Sequence, residues 1–140
     1  MIVDHPTVAP DTHAPGRTRR WIGIAITVLI TAFLAFDVFG KFAAPRPVVE
    51  SMAALGFPAG QALVMGIVLA ICLVLYVIPR TAVLGAVGLT GYLGGAVTAN
   101  MRIEAPLFST TLFAVYFGVL MWAGLVLRRP ELLRLAGIRR

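Results

Sequence analysis

The chain has 140 residues, 59% of them hydrophobic and 13% charged, with a mean hydropathy of +0.92 and a formal net charge of +6. Soluble domains are usually about 45–50% apolar, so the composition excludes an ordinary soluble domain, and the length holds one domain only. The basic balance alone would suit a nucleic acid, but the charges flank long apolar runs, which excludes that partner and points to the lipid bilayer.

In chain order, residues 1–16 carry Pro6, Pro10, Pro15, Asp4 and Asp11 without apolar periodicity, which predicts a disordered N-terminal tail. His5 and His13 fall in this tail and are read as a chance pair, not a metal site. Four apolar runs follow, Trp21–Phe39, Gly60–Ile78, Ala82–Ala99 and Leu107–Leu127, and Asp37 is the only charged side chain within them. A helix needs roughly 20 such residues to span hydrocarbon. Backbone groups there must bond within the segment, and continuous runs without period-2 alternation select helices over a barrel. The first run follows Arg17, Arg19 and Arg20 as a secretory signal would. It exceeds the roughly 7–15 residues of a signal core and lacks a small-x-small cleavage site, so it reads as an uncleaved anchor. Pro45, Pro47, Pro58, Pro79, Pro106 and Pro130 punctuate the runs. Trp21 and Trp122 are expected at the interface as anchors. Residues 17–130 form the expected membrane domain. Residues 131–140 form a short basic segment in which Glu131, Leu132, Leu133, Arg134, Leu135 and Ile138 suit an interfacial amphipathic helix.

Arg17, Arg19, Arg20, Arg80, Arg128, Arg129, Arg134, Arg139 and Arg140 fall on one side of this arrangement, and only Lys41, Arg46 and Arg102 on the other. The positive-inside rule then puts both termini in the cytoplasm. The expected architecture is an all-α membrane protein, a four-transmembrane-helix antiparallel bundle. Arginine, alanine and glycine usage suits a GC-rich bacterial genome, hence a multi-pass protein of the cell (inner) membrane.

Cys72 is the only cysteine, which excludes an internal disulfide and a Cys-x-x-Cys relay, and it reads as a small buried hydrophobe. The third run carries Gly85, Gly88, Gly91, Gly94 and Gly95, so another helix can approach it closely. The Gly91–Gly95 step is expected to serve contacts within the bundle, with dimerisation as the alternative. At the outer end gather Asp37, Lys41, Glu50, Gln61, Thr98, Asn100, Arg102, Glu104, Ser109, Thr110 and Thr111. Asp37 and Lys41 are four apart with the acid first, the favourable order for a helical pair. This pair either orients the first span or belongs to a proton relay or a site for an anionic or quinone-like headgroup. If the third helix persists to Ala105, Asn100 pairs with Glu104, and Arg102 comes within reach of Asp37 or Glu104. Tyr92 and Tyr116 need partners for their hydroxyls, between helices or in a cavity.

The stretch Phe36, Asp37, Val38, Phe39, Gly40, Lys41, Phe42, then Pro47 to Glu50 and Leu55 to Pro58, resembles the first-helix and loop pattern of small DoxX-like membrane proteins. Gly91 to Val97 with Arg102, Pro106 to Ser109, and Trp122, Gly124, Leu125 and Arg128 continue the resemblance over roughly residues 21–135. The resemblance implies a four-helix membrane bundle, related in broad terms to a small subunit of thiosulfate:quinone oxidoreductase. Asn100 and Thr110 stand where histidines are frequent in related chains, and neither titrates near neutral pH.

No nucleophile with its base, phosphate loop, paired catalytic carboxylates or Cys/His ligand set appears, so no independent catalytic activity is expected. The expected role is an accessory or anchor subunit for a quinone-linked membrane redox partner, with Asp37, Lys41, Asn100 and Arg102 as the quinone or anionic ligand site. The alternative is a non-catalytic interaction or assembly protein, acting on other membrane proteins or as a homo-oligomer. A transporter is the weakest reading, because four spans without an inverted repeat or broken helix leave little room for alternating access.

Overall fold

A computed structural model describes residues 16–58, 60–135 and 137. The expected tail, with His5 and His13, lies outside the described residues except for Gly16, which begins the first helix. The described chain is helical throughout: α1 (Gly16–Ala43), α2 (Arg46–Ala54), α3 (Gln61–Val77), α4 (Ala82–Arg102), a π-helical turn at Leu107–Thr111, α5 (Leu112–Arg128) and α6 (Glu131–Leu135). Among the described residues, three helical segments are long and apolar enough to cross a membrane, Gly16–Ala43, Ala82–Arg102 and Leu107–Arg128. The fourth apolar helix, α3, has 17 residues.

Proline sets the boundaries as expected. Ile78 is extended before Pro79 and ends α3, because the proline ring disfavours helical geometry in the residue before it. Pro45 and Pro47 do more than interrupt: they start α2, a helix within the segment expected to be a loop. The third span does not persist to Ala105. It stops at Arg102, and Glu104 takes a positive φ of 52°, so the expected Asn100–Glu104 helical pair does not form.

α1, α3, α4 and α5 pack in a ring in which α1 and α4 each touch α3 and α5. Neighbours are antiparallel. Gly23 lies against Leu127 while Phe33 stacks on Phe113 and Phe117, and Tyr76 meets Gly85 where Cys72 meets Gly88. The buried positions of α1 are Gly23, Thr27, Ile30 and Leu34, and those of α3 are Ala62, Gly66, Leu69, Leu73 and Tyr76. These alternate steps of three and four, the seam of helices that cross at a shallow angle with knobs in holes. The core joins them to Ala82, Ala86, Leu89, Met121 and Leu125.

Outside the seam the apolar residues face outward. Phe36 is 75% exposed, and Val28, Leu29, Val64, Leu84 and Val119 are exposed as well. Such a belt cannot be left in water and is what a bilayer covers.

Two close approaches hold the end that carries the chain termini. At Gly85 a side chain would run into the backbone of Leu75 and Tyr76, so only glycine lets α4 turn back on α3. At Gly124 a Cβ would lie 3.0 Å from the Thr27 hydroxyl and 3.2 Å from Ile26 Cγ2, so α5 meets α1 through a glycine. Without a hydrophobic drive between helices in lipid, such contact supplies the attraction. Tyr76, 0% exposed, crosses the core and donates its hydroxyl to the Met121 carbonyl at 2.9 Å. Trp122, expected as an interfacial anchor, donates its indole N–H to Thr90 Oγ1 at 2.9 Å. Where a C-terminal amphipathic helix is expected, α6 spans Glu131–Leu135, lays Leu132 on the core and leaves Leu135 exposed, while Ile138 lies outside the described residues.

Candidate functional site

The opposite end of the bundle holds the polar residues the sequence singled out. Asp37 and Lys41 occupy the last turns of α1, one above the other because residues four apart share a helical face. Lys41 Nζ donates to Asp37 Oδ1 at 2.6 Å, and it is the lysine that is the more enclosed, with 13% of its side chain exposed against 38% for the aspartate. Its stem packs where α1 approaches Gly66 of α3, and its ammonium lies 5.9 Å from the centre of the Tyr92 ring on α4. An ammonium held between a carboxylate and an aromatic face is compensated on both sides.

Lys41 and Tyr92 stand at the wall of a cavity of about 460 Å³. Met65, Val64 and Val68 of α3 form one side, and Gly91, Gly95, Ala96, Ala99 and Asn100 of α4 the other; Met52, Leu55 and Phe57 cover it from α2 and the turn behind it. The glycines explain the space. Gly85 and Gly88 touch α3, whereas nothing lies within 4 Å of where a side chain would stand at Gly91, Gly94 or Gly95. The Gly91–Gly95 step therefore does not serve contacts within the bundle, as the sequence suggested; it lines the cavity. Where no side chain reaches across, α3 and α4 enclose room for a ligand.

Of the four residues expected to form the site, Lys41 and Asn100 line the cavity and Asp37 holds Lys41. Arg102 does not reach Asp37 or Glu104. Its guanidinium donates to the Leu55 carbonyl at 3.1 Å and occupies the space above Gly56, whose φ of 78° leaves no side chain in the way. It thus ties the α2 cover to α4 and positions the lid of the cavity. Asn100 gives one N–H to the Ala96 carbonyl at 2.8 Å, which leaves its second N–H and its carbonyl oxygen for a ligand.

The remaining polar residues are not drawn in. Thr98 bonds back to the Gly94 carbonyl, Glu50, Gln61, Ser109 and Thr110 are exposed, and Thr111 is buried in the π-helical turn. Tyr116 faces outward, half exposed. Sequence reasoning missed the cover from Met52, Leu55 and Phe57. The available signal was the apolar spacing of Val48, Val49, Met52 and Leu55 after two prolines.

Chemically the cavity is apolar with a few fixed donors, the composition of a small-molecule site, and its volume lies in the usual range of roughly 300–1,000 Å³. Lys41 presents ammonium hydrogens beyond the one given to Asp37, and Asn100 presents an amide. Carbonyl or anionic oxygens are what such donors recognise. Among the described residues no three His, Cys, Asp or Glu side chains come together to hold a metal ion.

Comparison with curated proteins and with solved structures finds no match. The family model described as the DoxX-like family matches residues 25–124, which include α2, α3, α4, the Asp37–Lys41 pair and every residue of the cavity wall. This chain belongs to the DoxX-like family.

Proposed function

We propose that the protein is a four-span protein of the bacterial cell (inner) membrane, with both termini cytoplasmic, that binds a quinone headgroup beside Lys41 as the accessory subunit of a redox partner. The topology rests on charge placement: Arg17, Arg19, Arg20, Arg80, Arg128, Arg129 and Arg134 lie at the end of the bundle that carries the termini, against Lys41, Arg46 and Arg102 at the other. The fourth span is α3, whose 17 residues meet the lower limit of a spanning helix.

The observation that carries the functional reading is the Lys41 ammonium on the wall of an apolar cavity built by glycines. A quinone ring is flat and apolar with carbonyl acceptors on opposite edges, and an isoprenoid tail needs lipid alongside. The exposed valines 64 and 68 put lipid next to the cavity. A charged residue in a spanning segment is retained for pairing or for function. Electron transfer itself falls to the partner, since the chain offers no haem, flavin or iron–sulfur ligand set in the sequence of its spans.

The test is the quinone content of protein extracted from native membranes in mild detergent. Wild type should carry quinone near one per chain, and a folded D37N/K41M double variant should carry little. Equal content in both, or none in wild type, would overturn the reading. A second reading, an interaction or assembly protein, is favoured by one observation. Gly94, Ala114 and Gly118 line a cleft of about 440 Å³ on the α4–α5 face, and small residues of this kind let a helix from another membrane protein approach closely.

A further inference from the structure

At the other end of the bundle, Arg128 in the last turn of α5 is a cation without a counter-charge among the described residues. Its Nε and Nη2 atoms are out of contact with solvent and have no hydrogen-bond partner. Its guanidinium carbon lies 5.7 Å from the centre of the Tyr76 ring. Among the described residues the one ion pair is Asp37–Lys41, at the far end, so no carboxylate there lies within pairing distance of Arg128. Arg129 differs: it is occupied with the Pro79 carbonyl.

Arg128 lines a cavity of about 380 Å³ whose wall is α1, from Ile24 through Val28 and Ala32 to Ala35, closed by Val77. Two hydroxyls also line it. Thr27 is committed to the Gly23 carbonyl at 2.8 Å, but Thr31 Oγ1 is buried without a partner. A helical threonine normally returns its hydroxyl to the carbonyl one turn back, so an unbonded one on a residue that lines a cavity is a donor left for something else. Two residues with unsatisfied polar groups, Arg128 and Thr31, thus border the cavity on an otherwise apolar wall.

A buried guanidinium without an acceptor is costly, and its planar fork matches phosphate oxygens two at a time. The apolar wall asks for hydrocarbon beside that anion, and exposed Val28 continues the wall onto the lipid-facing surface. Arg17, Arg19, Arg20, Arg80, Arg129 and Arg134 crowd the same end, where Glu131 is the one described acid, so the local field favours a ligand of net negative charge. We propose that this cavity is a specific site for an anionic phospholipid, with its phosphodiester on Arg128, Thr31 donating to an ester carbonyl, and an acyl chain along α1. The site is separate from the Lys41 cavity and does not depend on what binds there.

The experiment is native mass spectrometry of the full chain released from nanodiscs containing equal phosphatidylglycerol and phosphatidylcholine, with thermal stability of the delipidated protein as a second readout. Wild type should retain phosphatidylglycerol in preference to phosphatidylcholine, and its melting temperature should rise with phosphatidylglycerol but not with inorganic phosphate. Arg128→Gln should lower phosphatidylglycerol retention by roughly tenfold or more, the range of a lost charge-assisted hydrogen bond, and Arg128→Lys should restore part of it. Thr31→Val, which keeps the shape of the wall, should lower retention by a smaller factor; it decides the matter with the wild-type lipid preference if Arg128→Gln does not fold. Retention that is equal for the two lipids, or unchanged in both Arg128→Gln and Thr31→Val, overturns the proposal. An equal shift with inorganic phosphate overturns the lipid assignment.

Discussion

Asp37 and Lys41 differ in exposure, and that difference makes their mutational signature asymmetric. In Asp37→Asn the carboxylate goes, leaving an ammonium whose side chain is 13% exposed with only the Tyr92 ring opposite it. Breaking a fully buried pair this way costs about 3–5 kcal/mol. The aspartate is 38% exposed, so water reaches part of the gap, and about 2–3 kcal/mol is the expected loss here. Lys41→Met keeps the apolar stem against Gly66 and strands a carboxylate that water can solvate, so the expected loss is only about 1 kcal/mol. The double variant removes both charges and should fall within about 1 kcal/mol of wild type, because replacing a desolvated pair by uncharged groups is often nearly neutral. Equilibrium unfolding in bicelles, followed by helical circular dichroism, gives the three values and hence the coupling. Additive losses, or a larger loss for Lys41→Met than for Asp37→Asn, would refute the view that Lys41 is the enclosed partner and Asp37 its support.

Glycines that the sequence cannot tell apart should behave oppositely. Gly85→Ala forces a methyl into the backbone of Leu75 and Tyr76, which cannot yield as a side chain does, and is expected to lose about 3 kcal/mol in the same unfolding assay. Gly95→Ala meets open space and should be neutral or gain up to about 1 kcal/mol from helix propensity. Tyr76→Phe deletes the hydroxyl that reaches Met121 while keeping the ring under Arg128, and interhelical bonds in membranes suggest a loss of about 0.6–1.7 kcal/mol. Gly95→Leu fills the cavity between α3 and α4; the protein should remain folded by size-exclusion chromatography but lose copurifying quinone.

The bilayer supplied the part of the fold that was easiest to read. Helix ends lie within a few residues of the apolar runs, because prolines and arginines cannot sit comfortably in hydrocarbon and so mark its edges. The packing faces were hidden for the same reason. Lipid-facing Val64 and Val68 are as apolar as buried Leu69 and Leu73, so hydropathy does not separate the two sides of α3. The separation lies in spacing and size, as in Ala62, Gly66, Leu69, Leu73 and Tyr76.

At the candidate site, the Asp37–Lys41 pair was legible because it is local, one helical turn. The contact of Lys41 with Tyr92 and the return of Arg102 to Leu55 join residues far apart in the chain, and spacing carries no record of them. The cavity was hidden further, since it depends on which glycines are left without a neighbour. A Gly-x-x-x-Gly step reads the same whether a helix or a ligand fills it.

Photolabelling with an azido-quinone in native membranes, followed by peptide mapping, tests the quinone-site reading most directly. Adducts should concentrate on the walls of the Lys41 cavity, at residues such as Met65, Tyr92 and Asn100, and should be suppressed by excess unmodified quinone and by Gly95→Leu. Labelling spread over the lipid-facing belt, or insensitive to competitor and to Gly95→Leu, would contradict a quinone site there.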